Sequence, residues 1–122
     1  MQRVIFDSSF LMAVAEDPTT WFEDIVEKVG RFEPALPVCV RAELERFASS
    51  DGKRSRTARV ALTLASRFSP IPCGRAPVDD EIASAAMSNG AFVATTDAAL
   101  TRTLLAMKVR VVCLSRGRVA LR

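Results

Sequence analysis

The chain has 122 residues and 13.3 kDa, 49% hydrophobic and 25% charged; this is a globular composition with room for one domain, and no apolar run approaches the ~18 residues of a membrane span. It contains no histidine and no tyrosine, which excludes Ser/His and Cys/His nucleophiles, HExxH zinc sites and histidine-based cleavage of RNA. The net charge of +3 conceals alternating blocks: three Lys/Arg against seven Asp/Glu in residues 1–40, eight against three in 41–75, none against four in 76–100 and six against none in 101–122. A cation can sit among the acidic blocks while a polyanion lies across the basic ones.

The chain opens on "RVIFD", where Val4, Ile5 and Phe6 form the apolar run of a strand buried on both faces, predicted over 3–7 and ending on Asp7. An opening strand so near the start leaves no secretory leader, so a reducing cytoplasm is the expected compartment. Cys39, Cys73 and Cys113, odd in number and widely spaced, are accordingly expected as separate buried thiols. Thr20 with Glu23 has the pattern of a capping box, and Trp21, Phe22, Ile25, Val26 and Val29 recur on one helical face that Gly30 closes.

"LPVCV", 36–40, reads as a second strand entered through Pro37, and "RAELERFA", 41–48, as a helix with Glu43 in its first turn. After a polar turn, Ser55 to Phe68 reads as a basic amphipathic helix, with Ala58, Ala61, Leu62 and Ala65 on one side and Arg56 and Arg59 on the other. "SPIPC", 69–73, is a brief strand, and the helix of 78–90 begins at Asp79 and Asp80 and stops at Asn89 and Gly90. "AFVATTD", 91–97, is a buried run ending on an acid; a helix follows over 98–107 and a last strand over 109–114. Strands alternating with helices predict an α/β fold around a mostly parallel sheet of about five strands.

In such sheets ligands bind beyond the carboxyl ends of the strands. Asp7 and Asp97 end strands while Glu43 and Asp79 open helices that follow strands, so all four share one rim. Taken singly, Asp79 and Asp97 could be helix N-caps, Glu43 a partner of its helix dipole and Asp7 a turn former; four on one rim point to a single site. Carboxylates within ~4–6 Å repel, and a hard divalent cation such as Mg²⁺ or Mn²⁺ relieves that repulsion while keeping several waters. Ser9 and Thr95, each two residues from one of these acids, are placed to orient carboxylates or waters. Asp80 and Glu81 read as first-turn acids that favour the dipole.

"VIFDSS", "VRAELER", "DDEIASAA" and "VATTD", in that order along essentially the whole chain, resemble the motifs of PIN-domain ribonucleases. Within that family the sequence looks most like small archaeal proteins standing between VapC-type toxins and the PIN nuclease of pre-rRNA processing. The resemblance implies a single α/β/α sandwich over residues 1–122, with Asp7, Glu43, Asp79 and Asp97 as the catalytic acids and the ligands of Mg²⁺ or Mn²⁺. Asp79 takes precedence over Asp80 on its spacing to Ile82 and Ala83. The implied reaction is hydrolysis of an RNA phosphodiester by a metal-activated water, leaving 3′-hydroxyl and 5′-phosphate ends. RNA is then the partner, joined in a toxin by a VapB-type antitoxin and a second copy of the chain. Lys53, Arg54, Arg56 and Arg59, with Arg102, Arg110, Arg116 and Arg118 of the tail, are the candidates for phosphate contacts. A non-catalytic RNA-binding scaffold of the same family is the main alternative, although all four acids are present. A receiver-type signalling domain fits less well, because it needs paired acids after its first strand and a lysine after its fifth, whereas Asp7 is followed by two serines and Lys108 precedes the last strand.

Overall fold

The computed structural model describes residues 1–122. The elements run β1 (Gln2–Phe6), α1 (Ser8–Glu16), α2 (Trp21–Val29), β2 (Phe32–Pro37), α3 (Val38–Ala48), α4 (Lys53–Leu64), β3 (Ser69–Ile71), α5 (Val78–Asn89), β4 (Phe92–Ala94), α6 (Ala98–Ala106), β5 (Val111–Ser115) and β6 (Arg118–Leu121). They build one six-stranded sheet in the order β3-β2-β1-β4-β5-β6, parallel except for β6, which runs antiparallel to β5. From β1 the chain steps outward to β2 and β3, then returns to β4 on the other side and continues to β5 and β6. The strand order therefore reverses between β1 and β4, the kind of crevice where open α/β sheets bind ligands.

Right-handed crossovers put the helices of the two directions on opposite faces of the sheet. On one side α1, α3 and α4 pack against one another; on the other, α5 lies against β1 and β4, and α6 against β5. Val4, Ile5 and Phe6 are fully buried between these layers. Phe6 is the aromatic hub, its ring centroid 5.0 Å from Phe68, 5.6 Å from Phe10 and 5.8 Å from Trp21. No helix is long and apolar enough to cross a membrane.

Several boundaries differ from the sequence expectation. Residues 8–16 form α1, with Asp7 as its N-cap and Phe10, Leu11 and Val14 buried. The second strand is β2 at 32–37 rather than 36–40. The "VCV" run belongs instead to α3, where Val40 and Leu44, one helical turn apart, face the core. Pro34 disguised β2: a proline cannot donate to a ladder and reads as a strand breaker, yet here it pairs in register with Val4 inside the sheet. A sixth strand, β6, doubles back over Arg116 and Gly117, both with positive φ (54° and 78°), as a tight hairpin turn requires. Thr20 precedes α2 but forms no capping box; its hydroxyl donates to Asp24 Oδ1 at 3.1 Å instead of capping a backbone N–H.

The expectation of three separate thiols is corrected. Cys39 and Cys73 form a disulfide with Cα atoms 6.0 Å apart, and only Cys113 is free. The reason lies in the sheet register. β2 and β3 pair Ala35 with Ser69, Leu36 with Pro70 and Pro37 with Ile71, so Cys39 and Cys73 lie the same two residues beyond the last pair and meet at the strand ends.

Candidate active site

The β1/β4 crevice is built outward from Asp7. Its backbone N–H donates to the Ala94 carbonyl at 2.9 Å, extending the β1/β4 ladder by one residue, and Thr95 N–H donates to Val112 O at 3.0 Å. Asp7 and Thr95 thus leave adjacent strand ends side by side. Asp7 is 5% exposed, and burial of a carboxylate is tolerable only with donors around it. Oδ1 accepts from Ser8 N–H at 2.9 Å, and Oδ2 accepts the hydroxyls of Ser9 and Thr95, each at 2.7 Å. A hydroxyl carries one proton, so both are committed to Asp7, and the 3.1 Å approach between Ser9 Oγ and Thr95 Oγ1 is contact without a proton. The same two oxygens accept in turn, Ser9 Oγ from Thr96 N–H at 3.0 Å and Thr95 Oγ1 from Asp97 N–H at 3.1 Å. One polar network therefore fixes Asp7, the turn after β4 and the start of α6.

The other acids arrive from three helices. Asp97 is the N-cap of α6, its Oδ1 accepting from Leu100 N–H at 2.9 Å. Glu43, one turn into α3 after Cys39, accepts the Ser8 hydroxyl on Oε1 at 2.5 Å. Asp79, in the first turn of α5, makes no hydrogen bond to the protein. All four line one open cavity of about 580 Å³ together with Ser8, Ser9, Lys53 and Arg54. The Asp79 carboxyl is held above its ordinary range, first by partial burial at the cleft wall and then by the charges of Asp7, Asp97, Glu43 and, more weakly, Asp80. Each of the other three rim acids is thus felt at Asp79. Even so, no three acidic side chains close into a ready-made ligand shell; they face one cavity rather than one point.

The oxygens left without protein partners define what the cleft can bind: both of Asp79, Oε2 of Glu43 and Oδ2 of Asp97. Asp7 adds the unused capacity of Oδ1. An all-oxygen set spread over a cavity wide enough for water matches a hard divalent cation of the magnesium type, which is bound through few carboxylates and keeps several waters. It does not match the nitrogen and sulfur sets of structural zinc.

Among the basic candidates, Lys53 and Arg54 line the acidic cavity and Arg56 and Arg59 do not. Arg59 Nη1 donates to the Ala48 carbonyl at 3.0 Å and ties α4 back to the end of α3. In the tail, Arg118 pairs with Asp24 at 3.4 Å and Arg110 Nε donates to Arg122 O at 3.0 Å, both outside the cavity. Arg102 and Arg116 are exposed, also away from it. Sequence reasoning missed Ser8 and Phe47. Ser8 would have been found by recognising α1, whose first residue it is; Phe47, one helical turn beyond Glu43, lines the cavity beneath Arg54.

Comparison with known proteins agrees with this fold. Over 98% of its length the chain superposes on the PIN domain endonuclease Utp24, covering 90% of that chain at 25% identity and a TM-score of 0.78. A domain of a functionally unknown protein from Methanocaldococcus jannaschii matches at a TM-score of 0.69 and 16% identity, over 94% of this chain and 92% of that one. A crystal structure of a Pyrobaculum aerophilum protein matches at 0.55 and 16%, over 96% and 82%; the last two likenesses speak to the fold alone. No curated protein matches by sequence. The family model described as PIN like domain matches residues 4–118, and the chain belongs to the PIN-like domain family.

Proposed function

We propose that this protein is a divalent-metal-dependent endoribonuclease whose active site is the cleft at the β1/β4 crevice. The observation that carries the reading is the convergence of Asp7, Glu43, Asp79 and Asp97 on one cavity, with Asp79 bearing the charge of the other three. Mg²⁺ or Mn²⁺ would be held by the free oxygens of Asp79, Glu43 and Asp97 and by Asp7. Such an ion, when bound, supplies charge neutralisation and a more acidic coordinated water. Ser9 and Thr95 orient Asp7 by donating to Oδ2, and Ser8 does the same for Glu43 through Oε1. Lys53 and Arg54, which line the same cavity, meet the phosphates flanking the scissile bond. Water oxygen attacks phosphorus, the bond to the 3′ oxygen breaks, and a 3′-hydroxyl and a 5′-phosphate remain.

The likeness to the endonuclease Utp24 over nearly the whole of both chains favours an RNA-processing enzyme over a toxin silenced by a VapB-type antitoxin. The decisive experiment incubates labelled RNA with the protein in Mg²⁺ or Mn²⁺, with and without EDTA, beside Asp7→Asn. Cleavage is expected only in the wild-type protein with metal, and activity that survives unchanged in EDTA and in Asp7→Asn would refute the proposal.

A further inference from the structure

The cleft holds two cations, and they are anchored differently. Lys53 Nζ lies 3.5 Å from Glu16 and shares its charge with that carboxylate. Arg54 has neither an ion pair nor a hydrogen bond, although five carboxylates, Glu16 among them, line the same cavity. What holds it is Phe47, in the last turn of α3: the guanidinium carbon sits 4.1 Å from the ring centroid. Phe47 is itself fixed, half-buried against the hydrophobic core.

This arrangement is costly for local stability and useful for anion binding. Arg54 and its neighbours Lys53 and Arg56 occupy the first turn of α4, which carries no acid, although a helix N-terminus favours negative side chains. A carboxylate partner would orient Arg54 but cancel its charge and occupy its donors. An aromatic face orients the guanidinium while leaving its charge and its five N–H donors available.

Building on the endoribonuclease reading, we infer that Phe47 is a positioning residue that presents Arg54, uncommitted, to an RNA phosphate in the cleft that the acids line. Phe47 touches no substrate atom and acts through Arg54 alone.

The test measures binding of a fluorescently labelled single-stranded oligoribonucleotide by anisotropy in EDTA, with cleavage kinetics in Mg²⁺ measured alongside. Phe47→Leu keeps the apolar anchor and removes the π face; Phe47→Tyr keeps both. Loss of an exposed cation–π contact corresponds to about two- to five-fold weaker binding, expected in Phe47→Leu with KM raised and kcat unchanged, and rescued in Phe47→Tyr. Arg54→Ala weakens binding further and lowers the slope of log affinity against log salt by about 0.7, the loss of one phosphate contact on a single strand. In the Arg54→Ala background, Phe47→Leu has no further effect. Equal affinities for Phe47→Leu and wild type, or an undiminished Phe47→Leu effect without Arg54, would overturn the inference while leaving the nuclease reading intact. A wild-type protein with no affinity for RNA would overturn both.

Discussion

At the scale of single residues, Asp7 shows how one side chain can serve fold and site together. Its Oδ1 caps α1 through Ser8 N–H, its Oδ2 gathers the hydroxyls of Ser9 and Thr95, and its backbone finishes the β1/β4 ladder. Three donors make the burial of this carboxylate tolerable. Asp79 is the converse. It has no donors, and partial burial followed by the charges of Asp7, Asp97, Glu43 and Asp80 raises its pKa. A raised carboxyl pKa means that the folded chain binds more protons than the unfolded one between the ordinary value of 3.8 and the higher folded value. Stability from this group is therefore present at low pH and lost as the pH rises through that window. Urea unfolding in EDTA from about pH 4 to about pH 7 should show Asp79→Asn gaining on the wild type as pH rises. A difference that stays flat across the range would mean that the repulsion at Asp79 is absent.

At the scale of elements, the strand ends were easier to read than the strands. Asp7 stands directly after β1 as expected, because a buried apolar run followed by an acid has a clear physical signature; Asp97, expected to end a strand over 91–97, lies instead three residues beyond β4 as the N-cap of α6. The second strand was displaced, since Pro34 hid it and the β-branched "VCV" imitated it; tertiary pairing overrode both signals. Glu43 reached the rim regardless, because α3 begins three residues earlier than expected and still follows the carboxyl end of β2. The Cys39–Cys73 bridge was invisible because it depends on the β2/β3 register, which no spacing reveals. That bridge joins the helix carrying Glu43 to the loop before α5, and Glu81 then pins the loop by accepting from Gly74 N–H at 2.7 Å and Ala76 N–H at 3.1 Å. A cross-link closing a loop of 34 residues should contribute about 3 to 4 kcal/mol by restricting the unfolded chain. Cys39→Ser/Cys73→Ser is expected to unfold at correspondingly lower denaturant, and reduced wild type to match it. Identical midpoints for oxidised and reduced wild-type protein would show that the bridge contributes nothing.

At the scale of the whole molecule, the sheet order explains why residues up to 90 positions apart form one site. The reversal between β1 and β4 opens a crevice, Asp7 flanks it from the end of β1, and α3, α5 and α6 bring Glu43, Asp79 and Asp97 to its walls. The charge blocks separate acids from bases along the chain, but they do not reveal that Lys53 and Arg54 alone of the basic candidates line the acids' cavity, because helix phase decides that. Gathering four carboxylates costs folding free energy, and a ligand that binds only the folded state returns it by mass action. At a divalent-cation concentration about a hundred times its dissociation constant the gain is about 2.7 kcal/mol, which for a chain of this size raises the melting temperature by roughly 10 °C. The informative variant is Asp97→Asn. Asparagine caps a helix about as well as aspartate, so α6 keeps its N-terminus while the cleft loses a charge, and the variant should melt higher than wild type in EDTA but gain less from Mg²⁺ or Mn²⁺. Sodium chloride at matched ionic strength is the control, since it screens exposed charges without filling a coordination site. A sodium-induced shift as large as that from Mg²⁺, or an Asp97→Asn response equal to wild type, would show that the four acids do not act as one cation-binding group.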